Sequence, residues 1–211
     1  MKTRKVMLYC LAGFVAGCVP IVSLNPLFTK ETIVFDENLL GAWVEDSNDP
    51  GTFWDWEFAR FEESSAKGLP KELQSEFKRV YRLNLTNKEG RKWVLAACLV
   101  KLGDRRFLDI FSDQFPSGES DVQKMYNALF LLRSHSFIRV DAIDDQLKMG
   151  MTFDGEFKKL VEAEPKAVPY ASTERGPVLT ASTKELQAFV TKYADDERLF
   201  LGGMILTRKN K

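Results

Sequence analysis

The sequence predicts a mainly β domain with added helix. The strands form an antiparallel meander that closes into a barrel or a strongly curved sheet, with two or three packed helices including a C-terminal one. Three observations predict it. Roughly eight short extended segments can be traced, most of them between residues 39 and 153. Turn-forming clusters of hairpin length join most of them. The clearest apolar stripes with helical spacing fall after residue 153. Closing such a meander would also remove exposed strand edges.

Leu39 to Glu45 is the first strand, ended by the turn cluster Asp46-Ser47-Asn48-Asp49-Pro50-Gly51. Trp54, Trp56 and Phe58 alternate with Asp55 and Glu57, a period of two with one buried face. Residues 63–77 form a polar excursion with a short helix near Pro70. Tyr81, Leu83 and Leu85 alternate with Arg82 and Asn84, and Asn87-Lys88-Glu89-Gly90 turns the chain into a strand over 92–101. Gly103-Asp104 turns it again into Arg106–Phe111. Over 115–135 the pattern is mixed: Val122, Met125, Tyr126 and Leu129 fit one helical face, while Leu129–Leu132 equally fit buried extended chain. Residues 136–143 and 146–153 form a hairpin around Asp144-Asp145. Asp154 caps a short helix that buries Phe157, Leu160 and Val161 and stops before Pro165. After a short strand at 177–181, Ser182-Thr183-Lys184-Glu185 matches a capping box. It opens a helix with Leu186, Phe189, Val190 and Tyr193 on one stripe. Gly202-Gly203 breaks the chain before a last strand over 204–208.

The 211 residues suffice for one domain with a real core, and no internal repeat or second domain boundary is visible. The apolar fraction, 45 %, argues against disorder. The N terminus reads as an export signal. Met1-Lys2-Thr3-Arg4-Lys5 is a short positive segment, and Val6 to Gly17 is uncharged and mostly apolar. Removing Lys2, Arg4 and Lys5 from the 30 basic residues leaves 27 against 30 acidic ones, about −3. Without a basic excess to neutralise phosphates, nucleic acid is not an expected partner. Only one of the three cysteines, Cys98, falls in the body of the chain, so no disulfide framework can be written. Its apolar surroundings, Trp93–Val100, make it a small buried hydrophobe.

The signal-like segment ends Val15-Ala16-Gly17-Cys18. This resembles the lipobox of bacterial lipoproteins: a branched aliphatic, a small residue, Gly or Ala, then Cys. The resemblance implies transfer of diacylglycerol to the Cys18 sulfur, cleavage before Cys18 and acylation of the new amino terminus. Small residues at 16 and 17 suit a peptidase cleft, and several acyl chains are needed because a single one binds membrane only marginally. The competing reading is an uncleaved span, since no charge occurs between Val6 and Lys30. Pro20, Ser23, Asn25 and Pro26 interrupt the half where its helix would continue. Residue 19 is Val, not the Asp of an inner-membrane retention signal, which by the same resemblance favours the periplasmic side of the outer membrane where the cell has one. The expected organisation is a signal peptide over 1–17, a lipidated tether over 18–30 and one globular domain over 31–211.

Two further resemblances concern the body. Leu99–Gly103, Phe107–Phe111 and Leu179–Phe189 look like segments of a family of uncharacterised bacterial lipoproteins, which implies export and anchoring but no activity. Gly41-Ala42-Trp43 is similar to the Gly-x-Trp signature of lipocalins. That likeness implies that Trp43 closes one end of a barrel and that Arg208, on the last strand after a helix, packs across it. The helix near 154–164 and the insertion near 63–77 depart from a standard lipocalin. An alternative antiparallel sheet with packed helices, in which Trp43 is an ordinary core aromatic, stays open.

Little chemistry is legible. His135 is the only histidine, so a zinc site of usual composition cannot be assembled. It sits between Ser134 and Ser136, which is not triad geometry, and reads as a residue of a loop or a strand start. No Gly-rich phosphate loop and no Gly-x-Ser-x-Gly elbow occurs. Asp144-Asp145 and Asp195-Asp196 read as solvated turn and helix-end residues, without the further spaced oxygen ligands of a calcium loop. Neither catalysis nor a metal nor another cofactor is expected. Asp109 alternates with Phe107 and Phe111, and Arg139 with Phe137 and Asp141. If those faces point inward, Asp109 and Arg139 form a buried or mouth-lining ion pair; if not, both face water. Trp54, Trp56 and Phe58 either pack a core or line a site for an apolar ligand. The expected function is a non-enzymatic, membrane-anchored envelope domain. It holds a small apolar ligand or lipid in a barrel, or else serves as a structural or protein-interaction module.

Overall fold

A computed structural model describes residues 21–45, 54–87, 90–112 and 131–209. Its strands are β1 (Val22–Ser23), β2 (Ile33–Val34), β3 (Gly41–Glu45), β4 (Trp54–Arg60), β5 (Val80–Asn87), β6 (Lys92–Leu102), β7 (Arg105–Phe111), β8 (His135–Ile143), β9 (Gln146–Met151), β10 (Tyr170–Thr173), β11 (Gly176–Leu179) and β12 (Leu201–Arg208). From β3 to β9 each strand pairs antiparallel with the next. β12 then enters between β9 and β3, antiparallel to both, and closes an eight-stranded barrel. The helices are α1 (Lys71–Gln74), α2 (Asp154–Ala163) and α3 (Thr183–Lys192). The helical stripe expected at Val122, Met125, Tyr126 and Leu129 lies outside the described residues.

The alternating sequences supply the barrel interior. Trp43, Trp56, Phe58, Tyr81, Leu83, Leu99, Leu108, Ile138, Leu147 and Leu206 belong to one buried cluster. An eight-stranded barrel is just wide enough for side chains to fill. At one end, the base, are the tight turns at Gly103-Asp104 and Asp144-Asp145 and a 3-10 turn over Glu37–Leu39, whose Leu39 is buried in the interior cluster. At the other end, the mouth, β1 meets β8 through Ser23 and His135.

A second core lies outside the barrel wall. Ala96, Cys98, Val100, Phe107, Phe111 and Phe137 face outward and are covered by Phe157 and Leu160 of α2 and by Leu186, Phe189 and Val190 of α3. Strands buried on both faces lose alternation. That is why residues 96–100 and 107–111 are continuously buried and why the run Trp93–Val100 carries no period of two. Each large apolar side chain removed from water here contributes roughly 1.5–3 kcal/mol.

Three expectations are corrected. Residues 21–30 are not a tether. Ile21, Leu27 and Phe28 are buried in the outer core, and β1 joins the sheet through β8 and β11. Their apolar side chains match the uncovered wall of the barrel, so the segment docks rather than hangs. Asp154 is not the cap of α2: Phe153 holds that position, and the Asp154 carboxylate accepts from Lys158 at 3.0 Å. Gly202-Gly203 does not end before the last strand. Both lie within β12, where the register against β9 shifts between Leu201 and Met204 and Gly203 takes φ of 113°. The capping box at Ser182 and Glu185 forms as expected.

Candidate functional site

The base is built around Trp43. In the β12–β3 register Arg208 stands opposite Trp43, and its guanidinium lies 4.3 Å over the indole ring. The same guanidinium donates to the Leu40 carbonyl at 3.0 Å and to the Asn38 carbonyl. The indole Nε1–H donates to the Leu39 carbonyl at 2.9 Å, so both residues tie the 3-10 turn to the barrel. Gly41 takes φ of 113°, and a Cβ there would come within 3.4 Å of Arg208 Nη1. Its conformation favours glycine, whereas the approach of the guanidinium would be an ordinary contact.

Asp109 and Arg139 are not brought together. Their faces point out of the barrel, not in. Asp109 stands opposite Phe137, and Arg139 opposite Phe107. Asp109, with no solvent exposure, takes a different partner: its Oδ1 lies 2.8 Å from His135 Nδ1. Its Oδ2 accepts the Leu27 N–H at 2.7 Å. A carboxylate in this position has nothing to donate, so Nδ1 is assigned the proton. Arg139 leans the other way, to Asp141 at 2.6 Å and to the Ala194 carbonyl at 2.5 Å, with Phe200 beneath it. Pairing with its own strand neighbour leaves Asp109 to the histidine on the other diagonal.

His135 is therefore a buried structural partner at the first residue of β8, and sequence reasoning passed over it. The available signal was an acid inside the apolar run Phe107–Phe111 together with a single histidine at a strand start. Around this pair the N-terminal segment is fastened by side chains from distant elements. Asn25 Nδ2 donates to the Ala181 carbonyl at 2.9 Å, Gln187 Nε2 to the Leu27 carbonyl at 2.8 Å, and Arg79 Nη1 to the Ile33 carbonyl at 2.7 Å. Ser23, the register partner of His135, gives its hydroxyl proton to the Asn25 carbonyl at 2.8 Å.

Two clefts flank the pair. One, of about 620 Å³, is lined by Leu24, Pro26, Phe28, Leu73, Arg133 and His135 on the outer wall. The other, of about 430 Å³, lies at the mouth among Val22, Leu95, Ile110, Leu131, Leu132 and Ser136. The barrel interior below it is occupied: Trp56 and Phe58 pack on one another at 6.2 Å between centroids, and Phe58 meets Tyr81 edge-on. Burial pushes the Tyr81 phenol well up, and its hydroxyl is bonded to the backbone of Asp36. The Trp54 side chain lies outside the described residues. Among those described, no three His, Cys, Asp or Glu side chains gather as metal ligands, and no helix is long and apolar enough to cross a membrane.

Comparison of the chain with protein-family models, with curated proteins and with solved structures returns no match.

Proposed function

We propose that this chain is a lipid-anchored domain of a bacterial envelope, held to a membrane by acyl chains on Cys18, and that its barrel acts as a structural or protein-interaction module. The filled interior carries the second half of this reading. Trp43, Trp56, Phe58, Tyr81 and Leu83 are at most 5 % exposed and occupy the space where a carrier would keep its ligand. The signal-like leader ending Ala16-Gly17-Cys18 supports the first half, and Val19 favours the periplasmic face of an outer membrane. The Gly-x-Trp of β3, with Arg208 of the last strand lying over Trp43, supports a lipocalin-like ancestry in which the central cavity has been filled.

A second reading is favoured by one observation. The cleft at the mouth is mostly apolar and large enough for a small ligand. Native mass spectrometry of the chain purified from membranes separates the two. The module predicts the mass of the acylated polypeptide alone, whereas a further species retained at one copy per chain would replace it with a ligand carrier. Photo-crosslinking in cells from Tyr170 and from Ile205, both exposed on the wall, tests the module directly. A discrete adduct with an envelope protein is expected, and the absence of one from every exposed wall position overturns that role. Fractionation of a Cys18→Ser form tests the anchor; a form that is still cleaved and still partitions into membranes as before would overturn it.

A further inference from the structure

The two ends of the barrel differ in chemistry. The base presents Glu37, Asn38, Arg60, Asp104, Arg105 and Asp144, all exposed. Among the described residues, large apolar side chains are exposed near the mouth instead: Trp93, Val94, Leu131, Leu132 and Leu201 are 39–76 % exposed, with Leu132 the most. They belong to different elements that begin or end at the mouth. Leu201 is opposite Met151 at the end of β9, Trp93 is opposite Leu85 near the end of β5, and Leu131 and Leu132 lie just before the start of β8. Exposed apolar patches of this kind mark contact surfaces.

The chain itself says which surface. Val22 lines the mouth cleft beside Leu131 and Leu132. Cys18 precedes Val22 by four residues, so its sulfur-bearing residue lies within roughly 14 Å of that rim even with the chain fully extended. Acyl chains on Cys18 would bring the bilayer to the apolar end. Arg91 and Lys92, both exposed at the same end, suit anionic headgroups, and Trp93 suits the interfacial zone.

We propose that the mouth of the barrel faces the bilayer and that its apolar rim enters the interface between headgroups and acyl chains, leaving the charged base pointing away. This rests on the acylation of Cys18 proposed above. The test uses the acylated chain in vesicles of phosphatidylethanolamine and phosphatidylglycerol. An environment-sensitive fluorophore is placed by Leu132→Cys at the mouth or by Asp104→Cys at the base; Cys98 is buried and will not compete for label. Lipids brominated near the headgroup should quench the probe at 132 several-fold more than the probe at 104, and iodide in the water should show the reverse order. Equal lipid quenching at both positions overturns the orientation. So does a probe at 132 shielded from lipid and iodide alike, because residues 113–130 of the chain or a second copy would then cover the rim. Intact mass of the same sample separates the premises. Acylated protein with an unquenched probe sinks the orientation alone, and unacylated protein sinks the anchor and this inference with it.

Discussion

Arg208 and Trp43 join the last strand of the barrel to its first. The guanidinium sits 4.3 Å above the indole and bonds the carbonyls of the turn at the base. Replacing Arg208 by Ala removes a cation–π contact and two charge-assisted hydrogen bonds, and should lower unfolding stability by about 1–3 kcal/mol. Lys keeps the charge but not the fork, so Arg208→Lys should fall between. Urea unfolding followed by tryptophan fluorescence measures both, and an Ala variant as stable as the parent would remove the closing role.

Asp109→Asn leaves a side chain with one acceptor oxygen where two donors converge, the His135 Nδ1–H and the Leu27 N–H. One of them must then face the amide NH2, which His135 can accommodate only by moving its proton from Nδ1 to Nε2. A loss of about 1–3 kcal/mol is expected, with faster protease cleavage near residue 27. Arg139→Leu should cost less, because Arg139 does not serve Asp109. Equal losses would contradict the partners described here.

The end of α2 is tied to the end of α3 by Glu164. Its carboxylate accepts from the Tyr193 hydroxyl and from Lys192 Nζ at 3.2 Å. The Tyr193 hydrogen bond first, then Lys192, holds its pKa below the ordinary glutamate value. A lowered native pKa means the unfolded chain takes up the proton first. The stabilisation is therefore complete above the ordinary value and fades as pH falls through the lowered one. Tyr193→Phe should move the Glu164 titration, followed by carboxyl NMR, upward, and should flatten the acid limb of the stability profile. An unmoved titration would discard the contact.

Cys98 is fully buried, and burial pushes its thiol well up. In a Cys10→Ser, Cys18→Ser background, alkylation at mildly alkaline pH should proceed only as fast as the outer core opens, and should become complete in urea. Rapid labelling of the native chain would contradict its place against the wall.

Much of the architecture was legible because local periodicity carries it. Trp56 and Phe58 or Tyr81 and Leu83, alternating with polar residues, mark strands with one face inside, and Ser182 with Glu185 marks a helix start. The likeness to Gly-x-Trp pointed to Arg208 as the partner of Trp43, and the two do meet. The partner of Asp109 was not legible. Alternation separates the two faces of a strand but does not say which one is inside, and on β6 and β7 burial of both faces erases the distinction.

Taken alone, the sequence determined the strand and helix periods and the turns, because each depends on residues a few positions apart. Tertiary structure alone decided three things: that β12 enters between β9 and β3, that the interior is filled, and that residues 21–30 cover the wall with Leu27 held by Asp109 across 82 positions. Those outcomes depend on closing the sheet and on which distant segment shields its outer face. Neither is encoded in the spacing of neighbouring residues.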